Sequence, residues 1–436
     1  MQNIKKTFDA ITFISLCVMA FSLPFSKSML EICFIVALVS WILGKGLSLK
    51  PVKTPLNLPL YLFAFIAFLS VLVSPSISLS LTALFSKTLK MIMLYFIIVE
   101  AVDTRKKVTV LLTTFFFAVV ITGADVIYQL IRGVDLIRRC SMMGDRITGP
   151  FLNPNYMAAW LTVAVPLLSC FLNFACKNLT KKTKYLLFVL EAVLIISLLL
   201  TYTRGAWIAV VLSLVLTGIF KSRRLALITI VVATLLFFFS TKSVRERVVS
   251  IVTNSSSHKA VLWQEVASVK ERVVSIVTSS NPHRAMLWRE AISIIKDFPV
   301  LGCGLNTYSI VAPKYKIAEG GGIYPHNSYL QMAAETGLLE LGAFLWIMVT
   351  LFRTSWRNLK IIFNQVKRAD FTDTNSVGLN DNALLIGLLA GLLAFLIHSF
   401  FDNNLYSLGL KYLMWLVIGL IVAIQRVALK EIIQPG

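Results

Sequence analysis

Four residues of this 436-residue chain have the types and settings that chemistry on an anionic group requires. Arg146 sits in the turn-rich stretch GDRITGPFLNPNYMAAW (144–160), and Arg204 in TYTRGAWIAV (201–210). Arg284 opens HRAMLWREAISIIKDFPVLGCGLNTY (283–308), and His326 lies in YPHNSYLQMAAETGLLELG (324–342). A guanidinium presents a planar fork to phosphate oxygens and stays charged at any relevant pH. An imidazole, with an unperturbed pKa of about 6.5, is the usual positioned base for a hydroxyl proton. The chain has four histidines. His258 and His283 fall on a repeat, and His398 closes an apolar run near Asp402. Only His326 follows a Gly320-Gly321-Gly322 stretch and precedes a helix start, so it can approach a docked substrate. Each residue also has a plainer reading. Arg204 can snorkel from a helix end, Arg284 can be a surface helix charge, and Arg146 a solvated turn residue. His326 can be a capping or buried structural histidine. Asn327 reads foremost as a helix cap, and Glu335, on the same helix, as a partner for buried polar groups. Asn153, in the NPN turn, is the third supporting residue.

These residues must be held by a hydrophobic scaffold. The chain is 57% hydrophobic and 14% charged, with a mean hydropathy of +0.79, where a soluble domain carries roughly a quarter charged residues. Apolar runs fall at about 10–25, 29–44, 57–74, 82–100, 108–130, 155–175, 185–201, 206–220, 225–240, 338–352, 383–400 and 412–425. The expected fold is therefore an all-α polytopic integral membrane protein of about twelve transmembrane helices. Lys5 and Lys6 precede the first run, but no small-residue cleavage pattern follows, so it reads as an uncleaved helix. The organisation divides into helices 1–5 (1–130), helices 6–9 with their outer loops (131–241), a large periplasmic loop between helices 9 and 10 (242–337), and helices 10–12 (338–436).

Net charge is +21. Basic clusters at Lys5/Lys6, Lys45/Lys50/Lys53, Arg105/Lys106/Lys107, Lys177/Lys181/Lys182/Lys184, Lys221/Arg223/Arg224, Arg353 to Arg368 and Arg426/Lys430 fall on one side when twelve helices are threaded. The positive-inside rule makes that side, and both termini, cytoplasmic. Two segments on the opposite side break the pattern. Residues 131–153 hold Arg132, Arg138, Arg139 and Arg146, and residues 242–337 hold eleven Lys/Arg. Long translocated loops escape the topology rule, so this charge reads as a solvated or headgroup-facing surface, or as a basic pocket for an anionic group. No nucleic-acid reader motif accompanies it.

The outer segment contains a duplication: RVVSIVTNSSSHKAVLWQE (247–265) and RVVSIVTSSNPHRAMLWRE (272–290) repeat at an offset of 25. The second copy runs directly into DFPVLGCGLNTY and reads as the original; its Arg284 is matched only by Lys259 in the first. From Pro282, a first-turn proline, Ala285, Leu287, Trp288 and Ile292 predict the apolar face of a helix. Cys140 and Cys303 both fall on the outer side, where an oxidising compartment would let them pair.

The motif order NPN, T-R-G, R-x-x-x-W, G-x-G-x-N, then H-N-x-Y-L-x-x-x-x-E-x-G ahead of a span resembles the O-antigen ligase family. These polytopic enzymes share a domain with O-antigen polymerases and bacterial protein O-oligosaccharyltransferases. The resemblance covers about residues 140–400. It implies a metal-independent glycosyltransferase, without cofactor, in the bacterial inner membrane with its site facing the periplasm. The donor would be a polyprenyl-diphosphate-linked glycan, and the acceptor lipid A-core or another glycan. Arg204 matches the T-R-G arginine, Arg284 the arginine ahead of the tryptophan, and His326 the histidine of the H-N motif, with Arg146 beside the NPN turn. The insert at 242–270 departs from the family pattern.

A diphosphate leaving group departs without a strong acid once its charge is stabilised, and arginines in a partly desolvated site do that. His326 would take the proton of the attacking hydroxyl, giving single displacement with inversion. The chain has no D-x-D, H-E-x-x-H, G-x-S-x-G or P-loop sequence. Asp125 and Glu191, within apolar runs, argue for a rival class, a proton-coupled transporter.

Overall fold

The computed structural model describes residues 2–45, 52–174, 179–221, 227, 229–230, 282–317, 323–369 and 381–433. Among these the chain is helical, with two isolated bridges (Val134–Ser141 and Met143–Arg146) and no strand. The helices are α1 (Gln2–Ser22), α2 (Lys27–Lys45), α3 (Asn57–Leu72), α4 (Ile77–Ala83) and α5 (Lys90–Ala101), the last two joined through a π turn at Leu84–Leu89. There follow α6 (Arg105–Arg132), α7 (Pro154–Phe174), α8 (Lys181–Leu200), α9 (Arg204–Lys221), α10 (Pro282–Asp297), α11 (Tyr308–Val311), α12 (Ser328–Ala369), α13 (Asp381–His398) and α14 (Leu408–Ile433).

Seven of these elements are long and apolar enough to cross a membrane: α2, α4–α5, α6, α7, α8, α12 and α14. The apolar helices α3, α9 and α13 are shorter, and α1 occupies the first expected run. All of the expected run at 225–240 except Leu227, Thr229 and Ile230, together with the first repeat copy and the start of the second, lies outside the described residues. The outward faces support a lipid environment: α8 turns Tyr185, Leu186, Phe188, Val189 and Ile196 outward, where water would penalise them and hydrocarbon would not. α7, α13 and α14 form the centre. A Cβ on Gly391 would lie 2.9 Å from Val163 O, so glycine lets α13 pack directly on the α7 backbone, as small residues do between membrane helices.

The bundle has two distinct ends. At one, Glu100 accepts hydrogen bonds from Lys45 Nζ (2.7 Å), Trp41 Nε1 and the Val52 amide, Arg426 donates to Val99 O (2.7 Å), and Arg105 pairs with Glu431. These are connections that the charge rule assigns to the basic side. At the other end, the segments 133–153, 201–203, 323–327 and 399–407 meet, all assigned to the opposite side.

One element differs from its sequence reading. The basic stretch from Arg353 is helical through Ala369 as the continuation of α12. No proline or glycine interrupts residues 343–369, and Arg, Lys, Gln and Leu sustain a helix well. α12 is broken instead at Gly337, whose φ of 82° and ψ of 173° are non-helical.

Candidate functional site

At the end opposite Glu100, three helices begin at the same place. Asn153 caps α7, its Oδ1 accepting the Asn155 amide at 2.8 Å, with Pro154 in the first position, where its missing N–H costs nothing. α9 begins at Arg204. Asn327 caps α12, its Oδ1 accepting the Tyr329 and Leu330 amides at 3.0 and 3.1 Å. The capping reading of Asn327 therefore holds. Three helix N-termini bring their positive dipole ends to one region, which favours a negative charge there.

The side chains at these starts form one chain of hydrogen bonds. Arg146 Nε donates to Thr201 O (2.7 Å), and its Nη2 donates to Asn155 Oδ1 (2.6 Å) and Thr203 Oγ1 (3.0 Å). Asn155 Nδ2 in turn donates to Asp402 Oδ2 at 2.6 Å. The other oxygen, Asp402 Oδ1, lies 3.2 Å from His326 Nδ1 and accepts the Asn403 amide at 2.8 Å. With Nδ1 donating to the carboxylate, His326 Nε2 keeps its lone pair, which is the tautomer a general base needs. The His326 side chain is 47% exposed and Asp402 only 8%, so the imidazole faces out from a buried anchor.

His326 is aimed by its backbone as well. Its φ is +48°, a left-handed conformation that L-residues rarely adopt. Trp288 Nε1 donates to the preceding Pro325 carbonyl at 2.8 Å, and its ring meets Phe400 edge-on, with centroids 5.4 Å apart. Ser328, just after the Asn327 cap, donates to Asp402 O (2.8 Å) and accepts the Leu405 amide (3.2 Å). The 399–405 loop is thus clasped to the start of α12. Tyr202 and Asn306 also have positive φ, so three of the four motif loops carry a strained residue, as functional sites often do.

Arg284 joins this region from α10. The helix starts at Pro282 as expected, but its inner face is Leu287, Glu290, Ala291 and Ile294, with Ile292 exposed. The buried Glu290 accepts the Ile317 amide at 2.9 Å, a partner that the apolar pattern could not reveal. Burial lowers the pKa values of Arg284 and Arg146 from the ordinary arginine range, and the Asp402 charge acts on both in the opposite sense. Both remain cations at any physiological pH. Burial works against the Asp402 charge, yet the His326 hydrogen bond, nearby His398 and the Asn403 amide outweigh it and hold its carboxyl below the usual 3.8. Arg284 Nε is buried with no hydrogen-bond partner among the described residues, so its guanidinium has capacity for a ligand.

The G-x-G-x-N and E-x-G motifs explain each other. Cys303 N donates to Ala334 O (2.9 Å), Gly304 N to Glu335 O (2.8 Å) and Leu338 N to Pro299 O (2.9 Å). A Cβ on Gly302 would lie 2.3 Å from Glu335 C, and one on Gly337 2.0 Å from Val300 O. Glu335, buried, accepts from Gln331 Nε2 and the Asn306 amide at 3.0 Å each. It satisfies polar groups beneath the site, as its sequence position suggested, and props the loop that follows α10.

Arg204, by contrast, is exposed and makes no hydrogen bond or ion pair among the described residues. Its neighbours are the fixed ones: Thr203 donates to Asn155 Oδ1 at 3.1 Å, and a Cβ on Gly205 would lie 2.7 Å from Phe401 Cβ. Arg204 stands beside the network with its charge free. Asp125 and Glu191 have local partners elsewhere: Asp125 accepts the Leu136 amide at 2.6 Å, and Glu191 accepts the Ser169 hydroxyl. Cys140 and Cys303 are free thiols; burial pushes Cys303 up to about 11. Among the described residues no group of three His, Cys, Asp or Glu side chains is placed to hold a metal ion.

Sequence reasoning named Arg146, Arg284 and His326, which the structure gathers around Asp402, and missed Asp402 and Asn155 as members. Arg204, Arg284 and His326 fall within one contiguous segment that is similar to a known family. Residues 187–347 match the family model of O-antigen ligase. No curated protein matches the chain. The O-antigen ligase match runs from within α8 into α12 and also takes in Asn327 and Glu335. Arg146, Asn153 and Asn155 precede it, and Asp402 follows it, so the hydrogen-bond network extends beyond the matched segment on both sides.

Proposed function

We propose that this chain is a membrane glycosyltransferase that moves a glycan from a polyprenyl diphosphate carrier to an acceptor hydroxyl, with lipid A-core as the acceptor. One observation carries the reading. An exposed imidazole is fixed by its inner nitrogen to a buried carboxylate, and two half-buried guanidiniums lie within the field of that same carboxylate. The acceptor oxygen attacks the anomeric carbon while its proton passes to His326 Nε2. The bond from that carbon to the diphosphate oxygen breaks, and the electron pair leaves with the diphosphate. Arg284, Arg204 and Arg146, with the starts of α7, α9 and α12, stabilise the charge that develops there. A single displacement of this kind inverts the anomeric centre.

Asp402 keeps the imidazole in the Nδ1–H tautomer and steadies the imidazolium that forms, as the third member of a triad does. The guanidiniums supply the positive charge, so metal independence is part of the proposal. The distribution of the basic clusters supports a site on the periplasmic face of the inner membrane.

The test uses purified protein, a lipid-diphosphate glycan donor and separate acceptors (lipid A-core, a second lipid-linked glycan, and a protein), with chelator present. Transfer to lipid A-core is expected; transfer only to the second glycan makes the chain a polymerase, and only to protein an O-oligosaccharyltransferase. Transfer that requires a divalent metal would overturn the mechanism. Loss of activity in Asp125→Asn and Glu191→Gln, with His326→Ala silent, would replace the enzyme by a proton-coupled transporter.

A further inference from the structure

We propose a second anion site, separate from the Asp402 network, that takes the phosphate head of a lipid substrate. It is the cavity enclosed by the turn between α1 and α2, Arg138, and the beginnings of α7 and α14. Ser26, Lys27, Arg138, Tyr156 and Ser407 form its polar lining, over an apolar floor that includes Leu23 and Leu410.

Its dimensions select the ligand. The cavity measures about 40 Å³, and a water takes about 10–15 Å³ on this measure. It therefore has room for about three oxygen-sized atoms, as many as the free oxygens of one phosphoryl group. Charge selects in the same sense. Arg138 Nη2 donates to Phe25 O at 2.9 Å, which fixes the guanidinium at the cavity and leaves its other N–H groups without partners among the described residues. The neighbouring carboxylate, Asp135, is buried and already accepts the amides of Ile137, Arg138 and Cys140. Glu31, on α2, pairs with Lys90 at 2.7 Å. A fixed guanidinium, an ammonium and hydroxyl donors around a small cavity suit a phosphate better than a neutral head.

The surroundings supply a place for the lipid. Met29, Leu136, Ile137 and Leu152 are all at least 40% exposed beside the cavity, an apolar rim along which a chain can run. The cavity abuts the catalytic region: Tyr156 follows Asn155, and Ser407 closes the loop that holds Asp402. This rests on the proposed function in one respect, that the reaction brings together two lipid-borne substrates. The Asp402 network would receive one head and the Arg138 cavity the other.

Native mass spectrometry on the full-length chain carrying His326→Ala, in detergent, tests the site with farnesyl diphosphate, phosphatidylglycerol and farnesol as probes. A phosphate-bearing probe is expected to bind with two equivalents and farnesol with none. Arg138→Gln with Lys27→Gln should remove one equivalent, or weaken it about tenfold; because Arg138→Gln also loses the bond to Phe25 O, Tm is measured alongside. Lys27→Gln alone, at an exposed position, should weaken it in the same direction and guards against misfolding. Loss of farnesyl diphosphate alone assigns the cavity to a prenyl substrate, and equal loss of phosphatidylglycerol assigns it to phospholipid; both support a phosphate site. Unchanged stoichiometry and affinity in the double variant would overturn it, as would equal binding of farnesol. If the intact protein transfers no glycan yet loses one bound phosphate lipid on Arg138→Gln, the proposed function falls and this site stands.

Discussion

His326 Nδ1 and Asp402 Oδ1 lie 3.2 Å apart across 76 residues of chain. The contact joins the start of α12 to the loop between α13 and α14, and it gives the exposed imidazole both its tautomer and its direction. His326→Ala is expected to slow transfer about 10²-fold or more with donor binding nearly intact. Asp402→Asn should also lower the rate, because an amide can present its N–H and reverse the imidazole tautomer. Initial rates and donor affinity, measured on the same preparations, separate these effects. A normal rate in Asp402→Asn would remove Asp402 from the role of positioning residue.

The three arginines should separate by stability. Arg146→Ala removes three hydrogen bonds and leaves the Thr201 carbonyl without its guanidinium donor, at a cost of about 1–3 kcal/mol. Arg204→Ala, at an exposed position, should leave Tm unchanged while transfer falls. Arg284→Lys keeps charge and loses the fork, so it should impair donor binding nearly as much as Arg284→Ala. Thermal unfolding in detergent together with donor-binding measurements checks all three. An active Arg204→Ala would exclude that side chain from substrate binding.

The glycine pair should be intolerant of a single methyl group. Gly302→Ala and Gly337→Ala each place a Cβ within 2.3 Å of backbone atoms, at φ values of 71° and 82°. Strain in the left-handed region alone costs about 1–3 kcal/mol, and the overlap adds to it. Gly133→Ala, at a similar φ of 75° with nothing within 4 Å of the added carbon, is the control and should be the milder change. Equal Tm values for Gly133→Ala and Gly337→Ala would refute the close-approach argument.

Asp402 also sets a pH dependence. Its folded pKa is depressed below 3.8, so its contribution to stability is fully present above that value and is lost as pH falls through the lower folded pKa. The Tm difference between wild type and Asp402→Asn should stay level from neutral pH down to about 5 and shrink below about 4. A difference that vanishes already near pH 6 would refute Asp402 as the controlling group.

Removing residues 246–270 excises one repeat unit in register and should leave measurable transfer, since Arg284, Trp288 and the link to Gly302 remain. Complete loss in a well-inserted variant would show that the first copy takes part in the reaction.

Hydropathy and charge alternation made the helices and the two ends of the bundle legible, because each depends on local composition. His326 and Arg284 stood out because their motifs are contiguous. Asp402 did not, since its role depends on a partner 76 residues away, and an aspartate after an apolar run resembles any loop carboxylate. Asn155 read only as part of an NPN turn; its bond to Asp402 spans 247 residues. The apolar pattern of α10 misplaced Ile292 because the inner face is completed by Glu290, whose partner is the Ile317 amide. Residues 353–369 read as a charged loop, although basic side chains extend a helix without difficulty.

The network around Asp402 is drawn from four separated stretches of chain, those of Arg146 with Asn155, of Thr203, of His326 and of Asp402. During synthesis the first three emerge long before the last. Until the loop after α13 has been made and folded back, His326 lacks the partner that orients it, whatever the state of the helices already inserted. Under the proposed mechanism, catalytic competence is therefore acquired late in biogenesis. A nascent or truncated chain carrying every residue of 187–347 would sit in the membrane among its lipids as a silent protein.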